Sequence, residues 1–146
     1  MKIIILDYKM GNIRSLKNSI EFLGFKVKIS NNPKEIYKAD FLIIPGVGAF
    51  NQAISNLNSL NLIDVLKEYI FEKKKYFLGI CLGMQLLCEK SEEHGSTKGL
   101  NCVDLQIKKF KKKPVFHIGY NQVMKPKETI LFKGVAQNSD FYFVHS

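Results

Sequence analysis

The residue best suited to nucleophilic chemistry is Cys81, which lies in the run Gly79-Ile80-Cys81-Leu82-Gly83. Apolar residues precede this run, and a helix-compatible segment follows it through to Glu93. The Gly-x-Cys-x-Gly spacing is the cysteine version of a nucleophile elbow, where small neighbours allow a strained turn between a strand and a helix. Unpaired N–H groups and the dipole at a helix start favour the reactive thiolate. The alternative is an inert, buried thiol.

A second segment able to do chemistry is Pro45-Gly46-Val47-Gly48, which directly follows the apolar run Phe41-Leu42-Ile43-Ile44. Two glycines after a buried strand leave backbone amides accessible, and such amides can hold an anion. Taken alone, the segment would be better interpreted as a plain connecting turn. Both segments follow predicted strands, and the carboxyl ends of parallel strands meet at one edge of a sheet. We therefore expect the glycines and Cys81 to face one another.

The elements that position these residues alternate between strands and helices. We predict strands at 2–7, 25–29 and 41–44, a helix capped by Asn12 and ending at Gly24, a short helix at 33–37, and one or two helices within 51–74. With the strand and helix around Cys81, this order predicts an α/β fold: a doubly wound, mainly parallel sheet with helices on both faces.

After Gly95 the pattern changes to short, partly alternating segments separated by Lys, Pro and Gly. We expect strands at 100–110, 115–123, 129–132 and 141–145, with antiparallel hairpins and no helix between them. No repeat or low-complexity linker divides the chain. The prediction is one domain, 1–146, with antiparallel strands in its C-terminal third.

Composition excludes several classes of protein. The chain has 146 residues and is 46% hydrophobic, enough for one core without staples. It shows no secretory signal and no apolar run near the roughly 20 residues that span a bilayer. Its three cysteines are too few for a disulfide framework, which favours a reducing compartment. We expect a cytoplasmic protein without a membrane partner.

The net charge of +9 raises the possibility of a nucleic-acid partner. However, Arg14 is the only arginine, and arginine is the preferred side chain for bidentate contacts to phosphate and guanine. We therefore expect no nucleic-acid partner. The three cysteines and three histidines never form a short paired motif, so no metal and no cofactor are expected.

Several segments together resemble one family: DYKMGN at 7–12, PGVGAF at 45–50, GICLGMQLL at 79–87, SEEHG at 91–95, HIGYNQV at 117–123 and FYFVHS at 141–146. They are similar to the glutamine amidotransferase subunit of imidazole glycerol phosphate synthase, a class I, triad-type amidotransferase. The resemblance covers essentially the whole chain.

The resemblance implies a glutaminase. Cys81 would attack the side-chain amide carbon of L-glutamine, form a glutamyl thioester and release ammonia. The ammonia would pass to a cyclase partner subunit, which makes imidazole glycerol phosphate and AICAR in histidine biosynthesis. Leu82 with Val47 or Gly48 would supply the oxyanion N–H donors, in a loop thought to reorient when the partner holds its substrate.

The remaining site residues also follow from the resemblance. Those expected to bind glutamine are Gly48, Gln85, Glu93, His145 and Ser146. Glu93 is plausible on charge alone, because the substrate carries an α-ammonium group. Without the family match, His145 would be interpreted as a core histidine, and His94 and His117 as turn or surface residues. Tyr120 and Tyr142 are expected at the partner interface, near the ammonia gate.

One part of the family pattern is missing. A cysteine nucleophile of this type needs a histidine base with an orienting group, supplied in the family by His-x-Glu, and no His-x-Glu occurs in these 146 residues. The expectation is a C-terminally incomplete chain with little or no activity as given.

Three alternatives remain open. Tyr120 stands where the family usually has tryptophan, and Lys9 where glycine is common. Both fit a paralogue that supplies ammonia to a cyclase-like partner for amidino-sugar or surface-polysaccharide synthesis. A non-catalytic binding subunit would explain the missing motif. A cysteine hydrolase or peptidase is disfavoured, because SEEHG and YFVHS would have no role in one.

Overall fold

The structure is a computed structural model that describes residues 1–111, 115–124 and 129–145. The chain separates into two compact units, Met1–Lys108 and Lys109–Ser146. Within the described residues, no helix combines the length and the apolar character needed to cross a membrane.

The first unit is built on a four-stranded parallel sheet in the order β2-β1-β3-β4. Its strands are β1 (Ile3–Leu6), β2 (Val27–Ser30), β3 (Phe41–Ile44) and β4 (Tyr76–Gly79). β1 is buried along its whole length, as its run of apolar β-branched residues predicts for a central strand. β2, which alternates apolar and lysine residues, lies at the edge. The predicted parallel sheet is confirmed.

Helices cover both faces of this sheet. Because successive side chains of a strand point to opposite faces, Ile4 and Leu6 join one apolar cluster and Ile3 and Ile5 the other. The helix α1 (Ile13–Phe22) packs on the second cluster. Helices α2 (Pro33–Tyr37), α3 (Phe50–Ser59) and α4 (Ile63–Lys67) pack on the first, and α4 continues as a π-helical turn, Glu68–Glu72.

The predicted helix starts are those found. The side chain of Asn12 accepts a hydrogen bond from the Ser15 N–H at 3.4 Å and begins α1. Asn32 does the same for Lys34 at 2.9 Å, and Pro33 occupies the first turn of α2. α1 ends before Gly24, whose φ of +86° suits glycine.

The prediction of a long helix after Cys81 is wrong. The helix α5 spans only Leu82–Gln85, and Cys88–Ser91 forms a strand, β5. The main-chain oxygens of Leu86 and Leu87 accept bonds from Leu100 and Cys102. β5 pairs antiparallel with β6 (Thr97–Lys98) and parallel with β7 (Val103–Ile107). Tertiary pairing of the backbone therefore overrides the helical pattern of the sequence.

Lys9 has a backbone conformation that suits glycine, the residue that the family resemblance leads us to expect there. Its φ is +65°, in the left-handed region that costs a residue with a Cβ about 1–2 kcal/mol. We expect Lys9→Gly to raise the free energy of unfolding by about 0.5–1 kcal/mol, since part of the relief is offset by glycine's larger unfolded-state entropy. Urea unfolding measures this, with Lys9→Ala as the control. An equal gain for the alanine variant would contradict the explanation.

The second unit contains a long antiparallel hairpin, β8 (His117–Val123) with β9 (Ser139–His145). The antiparallel pairing predicted in the C-terminal third is thus confirmed for this hairpin, whereas β7, within the strand expected at 100–110, pairs parallel with β5. The strand expected at 129–132 is wrong, because Ile130–Phe132 forms a 3-10 turn. Ser146, predicted to bind glutamine, lies outside the described residues.

Candidate active site

Cys81 occupies a sharp turn between β4 and α5. Its backbone has φ +54° and ψ −118°, a conformation that favours glycine and costs other residues about 1–3 kcal/mol. The turn is closed by bonds from Gly83 N to Ile80 O at 3.0 Å and from Met84 N to Cys81 O at 2.9 Å. The side chain is exposed. A strained turn that presents an exposed thiol fits a nucleophile and does not fit an inert, buried cysteine.

The other two cysteines have different surroundings. Cys88 is buried and Cys102 is half-buried, and burial raises the pKa of both thiols. A raised pKa lowers the thiolate fraction and with it the reactivity. Cys81 is therefore the thiol best placed to react. The four-residue helix that follows it has a smaller dipole than the long helix expected from the sequence.

The glycine loop, defined here as Pro45–Gly48, lies directly against the Cys81 turn. β3 and β4 are neighbours, with Ile44 opposite Gly79, and the Ile80 N–H donates to the Ile44 carbonyl at 2.9 Å. A Cβ added at Gly83 would lie 1.8 Å from that same carbonyl oxygen. One added at Gly46 would lie 2.9 Å from the Leu82 Cβ. The two segments thus meet as expected, and their glycines permit the close approach.

The glycine loop is buried at its start and open at its end. Pro45 and Gly46 are buried, whereas Val47 and Gly48 are exposed. Cys81 is also exposed and lies at the same carboxyl edge of the sheet. Gly48 has φ +105°, which glycine adopts without strain. The accessible end of the loop is the part expected to donate N–H groups to an oxyanion.

The segment after β1 packs against the glycine loop. The sequence did not predict this contact. The Tyr8 hydroxyl donates to the Pro45 carbonyl at 2.5 Å, and the Met10 methyl group lies 3.1 Å from the position of a Cβ at Gly48. Burial, together with the nearby Cys81, raises the pKa of Tyr8, so its hydroxyl remains a donor. The available signal was the position of Tyr8, at the carboxyl end of a central strand.

Glu93 contacts the chain just beyond the glycine loop, at the start of α3. Its Oε2 accepts a hydrogen bond from the Phe50 N–H at 2.7 Å, at the first residue of α3. Its own N–H donates to the hydroxyl of the fully buried Ser91 at 3.1 Å. Gln85 lies in α5, where its N–H donates to the Cys81 carbonyl at 3.2 Å. The first unit therefore brings together Val47, Gly48, Cys81, Leu82, Gln85 and Glu93.

The other expected site residues lie in the second unit. His145 Nε2 is 3.1 Å from His117 Nδ1 across the hairpin. His117 is thus a half-buried strand residue and not a turn residue, while His94 is exposed as expected. Tyr120 and Tyr142 are both exposed and pair edge-to-face, with ring centroids 5.4 Å apart.

The chain is similar to known proteins in sequence and in fold. Residues 4–146 match the family model of class-I glutamine amidotransferases. The imidazole glycerol phosphate synthase subunit HisH 1 of Campylobacter jejuni is 42% identical over 99% of this chain and 73% of its own length. The corresponding subunit HisH of Aquifex aeolicus is 45% identical over 100% of this chain and 71% of its own length. A crystal structure of a glutamine amidotransferase superposes with a TM-score of 0.71 at 15% identity, covering 97% of this chain and 70% of that one.

Proposed function

The chain belongs to the class-I glutamine amidotransferase family, and we propose that it is the glutaminase subunit of imidazole glycerol phosphate synthase, in histidine biosynthesis. The observation that carries this function is the exposed Cys81 on a strained turn, packed directly against the glycine loop. The thiolate sulfur attacks the amide carbon of glutamine, and the carbonyl oxygen becomes an oxyanion. When the oxyanion collapses, the C–N bond breaks, and the amide nitrogen takes up one proton and leaves as ammonia. Water then releases glutamate from the thioester.

The oxyanion is expected to bind N–H donors on both sides of this turn. Leu82 follows the nucleophile and begins α5, and Val47 and Gly48 lie at the accessible end of the glycine loop. Removal of one such donor from an enzyme typically costs about 10²–10³ in rate. The close approach of Gly46 and Gly83 supports this assignment, because it fixes the loop beside the turn.

Glu93 is proposed to bind the α-ammonium group of glutamine, with Gly48 and Gln85 of the same unit as further contacts. Its side chain is 43% exposed, and while Oε2 accepts a hydrogen bond from the Phe50 N–H, Oε1 lies 4.0 Å from His94 Nε2. One carboxylate would thus join the substrate's charged end to the start of α3. We infer that Glu93 has both a structural and a binding role.

Glu93→Gln separates those two roles. The amide oxygen still accepts from Phe50, so the free energy of unfolding should stay within about 0.5 kcal/mol of wild type. The charge is lost, so the L-glutamine concentration that halves alkylation of Cys81 should rise at least about tenfold, the equivalent of ~1.4 kcal/mol. Glu92→Gln, at the exposed neighbouring carboxylate, is the matched control. If L-glutamine protected Cys81 from alkylation equally well in the Glu93 and Glu92 variants, the binding role of Glu93 would be contradicted.

The partner is proposed to be a cyclase subunit that receives the ammonia, in a heterodimer. The exposed Tyr120–Tyr142 pair supports an interface on this face of the β8–β9 hairpin, since exposed aromatic residues are common at protein interfaces. We further propose a cytoplasmic location, which the three free cysteines support.

Complementation tests the pathway. The coding sequence in its natural reading frame should restore growth without histidine to a strain that lacks its own glutaminase subunit. A Cys81→Ala version is the control and should not. Growth could fail although the protein is expressed and folded. If glutamine turnover persists in that case, the amidino-sugar pathway is favoured. The non-catalytic subunit is favoured where turnover is absent.

For the 146 residues alone, glutamine turnover is expected to stay at background, even with the cyclase partner and its substrate present. The reason is that the His-x-Glu motif, which would protonate the leaving ammonia, is absent from them. An ammonia-release assay measures this, with a glutaminase subunit that carries the His-x-Glu motif as the positive control. Robust turnover would show that another group serves as the acid.

A further inference from the structure

Tyr8 makes a buried contact that the reaction just described does not use. Its side chain is fully buried, and its hydroxyl donates to the Pro45 carbonyl at 2.5 Å. A buried hydroxyl is costly unless it is hydrogen-bonded, so this bond ties two segments together. The segments are the end of β1 and the start of the glycine loop, 37 residues apart in sequence.

The main chain of Tyr8 is held by a second contact, separate from the hydroxyl bond. Asn56, on α3, donates from Nδ2 to the Tyr8 carbonyl at 3.1 Å, and Asn56 Oδ1 accepts from Gln52 Nε2 at 2.9 Å. α3 begins one residue beyond the glycine loop, after Ala49, and the N–H of its first residue, Phe50, donates to Glu93. Tyr8 is therefore fixed by the helix that follows the loop it supports.

This contact determines the orientation of one peptide plane. The carbonyl of Pro45 and the N–H of Gly46 belong to the same planar peptide, so holding the oxygen fixes the direction of the N–H. Gly46 also packs on the hydroxyl, since a Cβ there would lie 2.5 Å from the Tyr8 oxygen. The next residues, Val47 and Gly48, are exposed. The loop thus has a fixed base and an open end.

We propose that Tyr8 is a positioning residue for the oxyanion donors: by fixing the Pro45–Gly46 peptide, it sets where the Val47 and Gly48 N–H groups stand relative to Cys81. The proposal rests on the proposed function in one respect, the assignment of those N–H groups to the oxyanion. Tyr8 itself does not touch the reacting atoms.

The matched pair of variants is Tyr8→Phe and Tyr69→Phe. Tyr69 is also fully buried, and its hydroxyl lies 3.1 Å from the Tyr76 carbonyl oxygen, at the opposite, amino end of β4. Each variant removes one buried hydroxyl that contacts the main chain, so a general loss of stability affects both. Asn56→Ala, which releases the Tyr8 main chain, is a second route to the same change.

The first measurement does not depend on the function. Amide hydrogen exchange at Gly46, followed by NMR, should become at least about fivefold faster in Tyr8→Phe than in Tyr69→Phe, because the peptide plane is no longer held. Asn56→Ala should give a smaller change in the same direction. Equal exchange in all three variants and the wild type would overturn the idea that Tyr8 fixes the loop.

The second measurement compares two reagents for Cys81 at about pH 9, where an ordinary thiol is largely thiolate. A chloromethyl ketone with the α-amino acid end of glutamine needs its carbonyl polarised by the loop donors, whereas iodoacetamide needs only an accessible sulfur. In both reactions the sulfur forms a bond to carbon and the halide leaves. The ratio of the two rates should fall about tenfold or more in Tyr8→Phe and stay unchanged in Tyr69→Phe.

The outcomes distinguish the two hypotheses. If the wild type reacts with the ketone saturably and Tyr8→Phe keeps the same ratio, the positioning role is wrong while the proposed function stands. If the wild type shows no saturable reaction but Gly46 exchange responds to Tyr8→Phe, the proposed function is wrong and the loop tether stands.

Discussion

Replacing Gly83 by alanine is expected to lower the free energy of unfolding by about 3–5 kcal/mol, a large share of the roughly 5–15 kcal/mol that stabilises a typical folded protein. Its Cβ would lie 1.8 Å from the Ile44 oxygen and 2.6 Å from the Ile44 carbonyl carbon. Both atoms are main chain in a buried central strand, so neither can rotate away as a side chain would. β3 and α5 would have to separate, which also separates the glycine loop from Cys81.

The sign of this effect makes it informative. Gly83 lies inside α5, where helix propensity alone predicts that alanine would stabilise by about 1 kcal/mol. The close approach predicts a large change of the opposite sign. Urea unfolding decides between them. Gly95→Ala is the control, because Gly95 has φ +106° but no atom within 4 Å of an added Cβ, so it should lose only about 1 kcal/mol. A Gly83 variant as stable as wild type would contradict the packing described for the site.

Replacing Cys81 by glycine is expected to abolish reaction with glutamine analogues while it stabilises the fold. The loss of chemistry is complete, because the sulfur that forms the thioester is removed. The gain arises from φ +54° and ψ −118°, which cost a residue with a Cβ about 1–3 kcal/mol and glycine very little. The wild-type protein therefore stores strain at the residue that reacts.

Cys81→Ala provides the control for that prediction. It also lacks the sulfur, but it keeps the Cβ and with it the strain. At an unstrained position alanine is more stable than glycine by about 0.5–1 kcal/mol. Here we expect the free energy of unfolding of Cys81→Gly, measured with urea, to be about 1–2 kcal/mol higher than that of Cys81→Ala. Alanine equal to or more stable than glycine would show that the turn is not strained.

The sheet and its helices were predictable because their signals are local. Continuous apolar runs predict buried parallel strands, and Asn12, Pro33 and Gly24 mark helix ends by their own chemistry. The same local logic placed both the glycine loop and Cys81 at the carboxyl edge of the sheet. Their contact followed from strand order, which the alternation of elements constrains strongly.

The errors arise where distant segments decide the structure. Residues 88–91 have a helical pattern, but β6 and β7 take up their hydrogen bonds and make them a strand. The hydroxyl bond of Tyr8 and the bond from Phe50 to Glu93 join residues 37 and 43 positions apart, and no periodicity encodes them. The nucleophile was therefore found from the sequence, whereas the contact of Tyr8 with the glycine loop was not, because only its place at the end of a central strand pointed to it.

The central claim is that Cys81 is a nucleophile directed at glutamine, and competitive labelling tests it most directly. The chain is treated with the chloromethyl ketone analogue of glutamine, with L-glutamine or D-glutamine as competitor, and the labelled cysteines are mapped by mass spectrometry of peptides. We predict saturable labelling of Cys81, protection by L-glutamine alone, and little label on Cys88 or Cys102, whose thiols are shielded by burial. Label spread over all three cysteines, or labelling of Cys81 that L-glutamine does not slow, would contradict the account.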